Sequence, residues 1–177
     1  MTKKKTGVKD LLMRLGPALA LINIGVFGLF LMLYYTLVQG SLNGVTFGLI
    51  LCMVCTAVAG SHPGNVWPIM VGYVVMSFLG KALFQGETFG MAINAQAILI
   101  GMCYANGLSP ITGKYGWPIG ILAGMMHYTL VTCVPAMHGG FLLYNGGFTA
   151  CLLCVLFVPV LERFAKTKEE RLAAKAK

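Results

Sequence analysis

The sequence predicts an all-α polytopic membrane protein, a six-helix transmembrane bundle, and three observations carry that prediction. Six apolar stretches run over roughly 17–38, 42–60, 66–85, 91–110, 117–137 and 141–160. The 177 residues are 58% hydrophobic and 10% charged, with a mean hydropathy of +0.80; a soluble domain carries about 25% charged residues. The cations gather at the two ends: Lys3, Lys4, Lys5, Lys9 and Arg14 in a head, Arg163, Lys166, Lys168, Arg171, Lys175 and Lys177 in a tail, 11 of the 13. A helix needs about 20 predominantly apolar residues to cross a ~30 Å hydrocarbon core. Barrel strands are shorter and alternate in polarity, so helices are the spanning structure.

The expected organisation is a basic head over residues 1–16, a transmembrane domain over 17–160 and a basic tail over 161–177. By the positive-inside rule both ends are expected in the cytoplasm, which requires an even number of crossings. The same rule places Lys114 inside and Glu87 outside. The net charge of +8 reads as this topology signal beside anionic lipid, with membrane lipid and not nucleic acid as its partner. The first span begins too late and runs too long for a cleaved signal peptide, so a retained helix in a bacterial plasma membrane is expected.

Short connections separate the spans: Gln39-Gly40-Ser41, Ser61-His62-Pro63-Gly64-Asn65, Gln85-Gly86-Glu87-Thr88 and Thr112-Gly113-Lys114-Tyr115-Gly116-Trp117-Pro118. Such lengths imply antiparallel neighbours in sequence order. Span one (17–38) and span two (42–60) are predominantly apolar runs. Span three carries Lys81 four residues from its end, placed to snorkel to the interface and near Glu87. Span four is amide-rich, with Asn94, Gln96 and Asn106, which suits a neutral or zwitterionic solute, a watery path, or interhelical hydrogen bonds.

Span five places His127 near its middle, with Gly120 and Gly124 at i−7 and i−3 on the same face. Small residues four apart admit another helix closely, so that face is expected against protein. An ionisable group at mid-membrane is a functional candidate, for substrate contact or proton relay; the alternative is a neutral His bonded to a neighbouring helix. Span six opens on Met137-His138-Gly139-Gly140 and Tyr144-Asn145-Gly146-Gly147-Phe148. Two Gly-Gly pairs beside polar groups predict a broken or re-entrant segment near residues 138–148, or else an ordinary interfacial loop. A faint echo, Tyr35-Thr36-Leu37-Val38 against Tyr128-Thr129-Leu130-Val131, is as compatible with chance as with duplication.

Six cysteines all lie in apolar spans, and Cys52/Cys55 and Cys151/Cys154 have C-x-x-C spacing. Neither pair has a His or carboxylate within it, so they read as small apolar residues and no metal or cofactor is expected. No span contains a carboxylate, and no nucleophile elbow, zinc-protease motif or phosphate loop occurs. An enzyme is not expected.

Three stretches carry a family resemblance: Ser61-His62-Pro63-Gly64-Asn65-Val66-Trp67-Pro68, Gly107-Leu108-Ser109-Pro110-Ile111-Thr112-Gly113 through Gly116, and His138-Gly139-Gly140 through Tyr144-Asn145-Gly146-Gly147-Phe148. Over roughly residues 43–160 the chain resembles the uncharacterised bacterial membrane family labelled domain of unknown function 1576. Gly146 stands where the family pattern has a second Asn. The resemblance also implies a chain about half as long as typical members, so that a second copy or a homologous half would complete the unit. The family supplies no activity.

The functional expectation is therefore a half-unit of a transporter or channel for a small polar solute, working as an oligomer. Its path is expected to be lined by His62, Asn65, Asn94, Gln96, His127, His138, Tyr144 and Asn145. Two alternatives stand beside it: a substrate-capture membrane subunit of an ATP-driven vitamin-type importer, or a structural or assembly membrane protein.

Overall fold

A computed structural model describes residues 16–84, 91–137 and 145–176, with the side chains of residues 84, 135–137 and 145 left aside. The basic head up to Leu15, the Gln85–Gly90 connection with Glu87, and His138 through Tyr144 therefore lie outside the described residues. The described chain forms α1 (Pro17–Leu37), α2 (Gly44–Cys55), α3 (Pro63–Phe84), α4 (Gln96–Ala105), a 3-10 turn (Asn106–Leu108), α5 (Ser109–Tyr115), α6 (Trp117–Met137), α7 (Asn145–Phe164) and α8 (Lys168–Lys175). The all-α polytopic class is the one the sequence predicts, and no strand occurs among the described residues. Four of these helices, α1, α3, α6 and α7, are long and apolar enough to cross a membrane.

Proline sets several starts. Pro17 opens α1 and Pro63 opens α3, where the missing N–H costs nothing and the fixed φ already suits a helix. α2 begins with a capping box, in which Asn43 Oδ1 accepts from Thr46 N and Thr46 Oγ1 accepts from Asn43 N.

Two predicted spans differ from expectation. Span two is helical only over Gly44–Cys55. From Ala57 to Gly60 each amide bonds the carbonyl three residues back, a tightened ending that frees carbonyls. Asn23 Nδ2 adds bonds to the carbonyls of Ala57 (3.1 Å) and Ser61 (2.9 Å). Asn106 Nδ2 takes Thr56 Oγ1 at 2.6 Å and reaches the Met53 carbonyl at 3.5 Å. Span four begins later than predicted, at Gln96, and breaks at Asn106–Leu108 before continuing as α5. Pro110 has no N–H to give to Asn106, so the chain restarts a helix with Pro in its first turn. The predicted loop 112–118 is correspondingly helical up to Tyr115. Gly116, at φ +98°, then provides the left-handed turn that ends α5.

The closest packing joins α3 and α6, which are not sequence neighbours and run parallel. Ascending pairs define the register: the Trp67 and Trp117 rings stack at 6.4 Å, Gly124 sits on Ile69, and Tyr73 meets His127 and Tyr128. A methyl group added at Gly72 would overlap the Ile121 carbonyl, and one at Gly124 the Ile69 carbonyl. One added at Gly120 would strike the Thr112 hydroxyl and Pro68. The small-residue face of α6 is thus filled by α3 and α5 of the same chain. It is not free for a partner chain. The α3–α6 pairing adds to the neighbours expected in sequence order, of which α1 with α2 and α6 with α7 also pack.

Around this pair lies a core rich in tyrosine, with Tyr35, Tyr73, Tyr115 and Tyr128 all buried. The outward faces are apolar instead, as Leu21 (67% exposed), Leu29 (73%) and Val155 (70%) illustrate. A soluble protein would not present such a surface, and a hydrocarbon solvent favours it. The helices fit a membrane-embedded protein.

Candidate functional site: a histidine cluster inside the bundle

His127 is wholly buried about halfway along α6 and draws three helices together. Its Nδ1 lies 2.5 Å from Tyr73 Oη on α3. Its Nε2 lies 3.0 Å from the Gly146 carbonyl and 3.0 Å from Thr149 Oγ1, both on α7. The Gly146 carbonyl can only accept, which assigns the proton to Nε2 and makes Nδ1 the acceptor from the tyrosine. Thr149 Oγ1 also lies 3.0 Å from that carbonyl. In this tautomer a neutral imidazole has both nitrogens engaged, and the neutral form costs least in a low-dielectric interior.

The local sequence makes this meeting feasible. Gly72 and Gly124 bring the two backbones into contact one residue before Tyr73 and three before His127. Gly146 opens the first turn of α7, and a side chain there would collide with Tyr104, at 2.8 Å, and with the Gly101 backbone. Glycine at 146 thus lets α7 seat closely enough for its carbonyl to reach the imidazole.

The other expected site residues fall in separate places. His62 and Asn65 stand at the end of the bundle that carries the basic tail, and they cap α3. His62 N donates to Asn65 Oδ1 at 2.9 Å, and Gly64 N donates to His62 Nδ1 at 3.1 Å. Asn65 Nδ2 adds a bond to the Gly60 carbonyl at 3.0 Å. These bonds cap the first turn of α3, which gives the His-Pro-Gly-Asn sequence a local structural role. At the opposite end Asn94 is exposed and Gln96 Oε1 lies 3.4 Å from Asn43 Nδ2. Asn145 begins α7 next to Gly146; its side chain, with His138 and Tyr144, lies outside the described residues. Residues 145–148, the described part of the predicted broken segment, are helical.

Sequence reasoning missed Tyr73, Thr149 and Asn23. Tyr73 looks like one more aromatic residue in an apolar run, and only the α3–α6 register brings it to His127. Asn23 had a signal, being an amide six residues into span one.

A groove of about 360 Å³ between α1 and α3 is lined by Phe30, Tyr34, Val38, Trp67, Met70 and Val74, a lining with almost no polar surface. It does not suit a polar solute. Cys52 and Cys55 are exposed on α2, Cys151 is exposed on α7 and Cys154 half-buried beside it. No group of three or more His, Cys, Asp or Glu poised for a metal occurs among the described residues.

At the tail end, Lys114 Nζ pairs with Glu162 at 3.1 Å. The Arg171 guanidinium donates to the Tyr115 carbonyl and so holds α8 against the end of α5. His62 is held below its ordinary pKa, first by partial burial and then by the Lys168 charge.

Comparisons with curated proteins and with solved structures give no match. A family profile matches residues 1–163, which includes all three stretches that carry the resemblance and all the residues of the histidine cluster. The chain belongs to the family described as protein of unknown function (DUF1576).

Proposed function

We propose that the chain is a membrane-embedded half-unit of a transporter or channel for a small polar solute, residing in a bacterial plasma membrane with both termini cytoplasmic. The observation that carries this reading is the buried cluster of Tyr73, His127, Thr149 and the Gly146 carbonyl on three helices. Polar groups at membrane depth cost free energy and mark substrate or ion pathways more often than lipid-facing positions. Their neutral, amide-and-hydroxyl character suits an uncharged or zwitterionic solute. The orientation rests on Lys114, Arg163, Lys166, Lys168, Arg171 and Lys175 lying at one end. Assembly with a second copy or a homologous half rests on the half length that the family resemblance implies.

One observation favours a second reading, a structural or assembly protein: both imidazole nitrogens are already bonded within the chain. Reconstitution separates the two. Proteoliposomes of the purified chain should swell faster than empty liposomes in a panel of small neutral and zwitterionic solutes, and His127→Ala should reduce the difference. Swelling equal to empty liposomes for every solute, from protein that is folded and oligomeric, would overturn the transport reading.

A further inference from the structure

The tail helix α8 sorts its charges by helical period. Lys168, Arg171 and Lys175 stand at i, i+3 and i+7, with Leu172 at i+4, so they share one face; Glu169 and Glu170 fall off it. The Thr167–Glu170 capping box fixes where this helix begins and hence which residues share the face. That face is turned toward the bundle, because Arg171 reaches the Tyr115 carbonyl and Lys168 Cε lies 3.5 Å from the position a Gly116 Cβ would take. The cationic side therefore faces the α5–α6 end of the bundle and the acidic side faces away from it. Phe164 (81% exposed) and Leu172 (67%) stand bare beside these cations.

We infer that α8 is a headgroup-binding strap: its cationic face takes the phosphodiester of an anionic phospholipid where α7 leaves the bilayer. Charge complementarity selects the phosphate. The bare Phe164 and Leu172 select a lipid over a free anion, since a dissolved phosphate gives them nothing to bury against, whereas the acyl–headgroup boundary does. This inference is independent of whether the bundle transports anything.

Trp67 and Trp117 stack at the same end and report lipid contact without labelling. In nanodiscs of the full chain, brominated phosphatidylglycerol should quench their fluorescence at lower mole fraction than brominated phosphatidylcholine. Roughly 25-fold selectivity is expected from the two lysines, since each surface cation contributes ~1 kcal/mol toward anionic lipid and about 1.4 kcal/mol is tenfold. Raised salt should reduce it. K168Q/K175Q leaves the Arg171–Tyr115 bond in place and should bring selectivity close to one. Equal quenching by the two lipids in the wild-type chain, or unchanged selectivity in K168Q/K175Q, would overturn the strap. Relief of the phosphatidylglycerol quenching by millimolar inorganic phosphate would assign the site to a free anion and overturn the lipid assignment.

Discussion

Tyr73 Oη stands 2.5 Å from His127 Nδ1, immediately beside the point where Gly72 and Gly124 let two helix backbones touch. The adjacency has a physical reason. A phenol on one helix reaches an imidazole on another only if the axes come close, and two glycines without side chains permit that approach. The packing device and the polar cluster are thus one arrangement, and disturbing either should disturb the other.

Tyr73→Phe removes the donor to Nδ1 while keeping the ring that packs edge-on against Tyr128 at 5.6 Å. It leaves an acceptor unsatisfied in a dry interior, which costs about 1–2 kcal/mol. Thermal unfolding in detergent, followed by size exclusion or circular dichroism, should show a lowered midpoint with helix content unchanged. An unchanged midpoint would mean the hydrogen bond contributes nothing to the fold.

Gly124→Ala should be worse than its single methyl suggests. The added carbon overlaps the Ile69 carbonyl, which is backbone and cannot rotate away, so α3 must retreat. Overpacking of this kind costs about 1–3 kcal/mol. Gly25→Ala on α1 is the matched control, since its new methyl meets nothing within 4 Å. It should be neutral or slightly stabilising. Comparable midpoints for the two variants would contradict the tight α3–α6 crossing.

How far the sequence carries one toward this structure depends on the element. The long helices α1, α3, α6 and α7 are legible because twenty apolar residues have few other ways to satisfy their backbone in a bilayer. The endings of α2 and α4 are not, because hydropathy is blind to whether an apolar residue such as Val58 or Leu108 sits in an α-helical or a 3-10 turn. The clue was chemical: Asn23 and Asn106 are amides with no reason to be in hydrocarbon unless carbonyls need them. His127 was identifiable as a buried polar group from its glycine-marked face. Its partners were not, since Tyr73 lies 54 residues away and the contact depends on which helices pair. Reading Gly120 and Gly124 as a site for another helix was sound, but sequence alone cannot say whether that helix belongs to the same chain.

His62 gives the α3 cap a pH dependence. Its Nδ1 accepts from Gly64 N, which requires an unprotonated nitrogen, and burial with the nearby Lys168 charge lowers its pKa below the ordinary value. A folded pKa below the unfolded one means the contribution is fully present above the unfolded value, near 6.5, and is lost as pH falls toward the folded value. Stability should therefore decline as pH falls below about 6.5. His62→Asn retains a good N-cap without a titrating group and should flatten that part of the profile. A profile of unchanged shape in His62→Asn would assign the dependence to another group.

The functional reading stands or falls on the first turn of α7. Asn145 immediately precedes the carbonyl that binds His127, so a solute held by Asn145 would also sense the imidazole through Gly146. His127→Ala should weaken solute flux in proteoliposomes, as should Asn145→Ala. If both act on one site, the double variant should lose little more than the stronger single one, because contacts within one network are not additive. Asn23→Ala distinguishes this from simple destabilisation. It removes an amide bonded to the Ala57 and Ser61 carbonyls, away from the cluster, so it should lower the unfolding midpoint and leave flux largely intact. Additive losses from His127→Ala and Asn145→Ala would place the two residues at separate sites. Flux that tracks the unfolding midpoint across all variants would make the cluster a structural element alone.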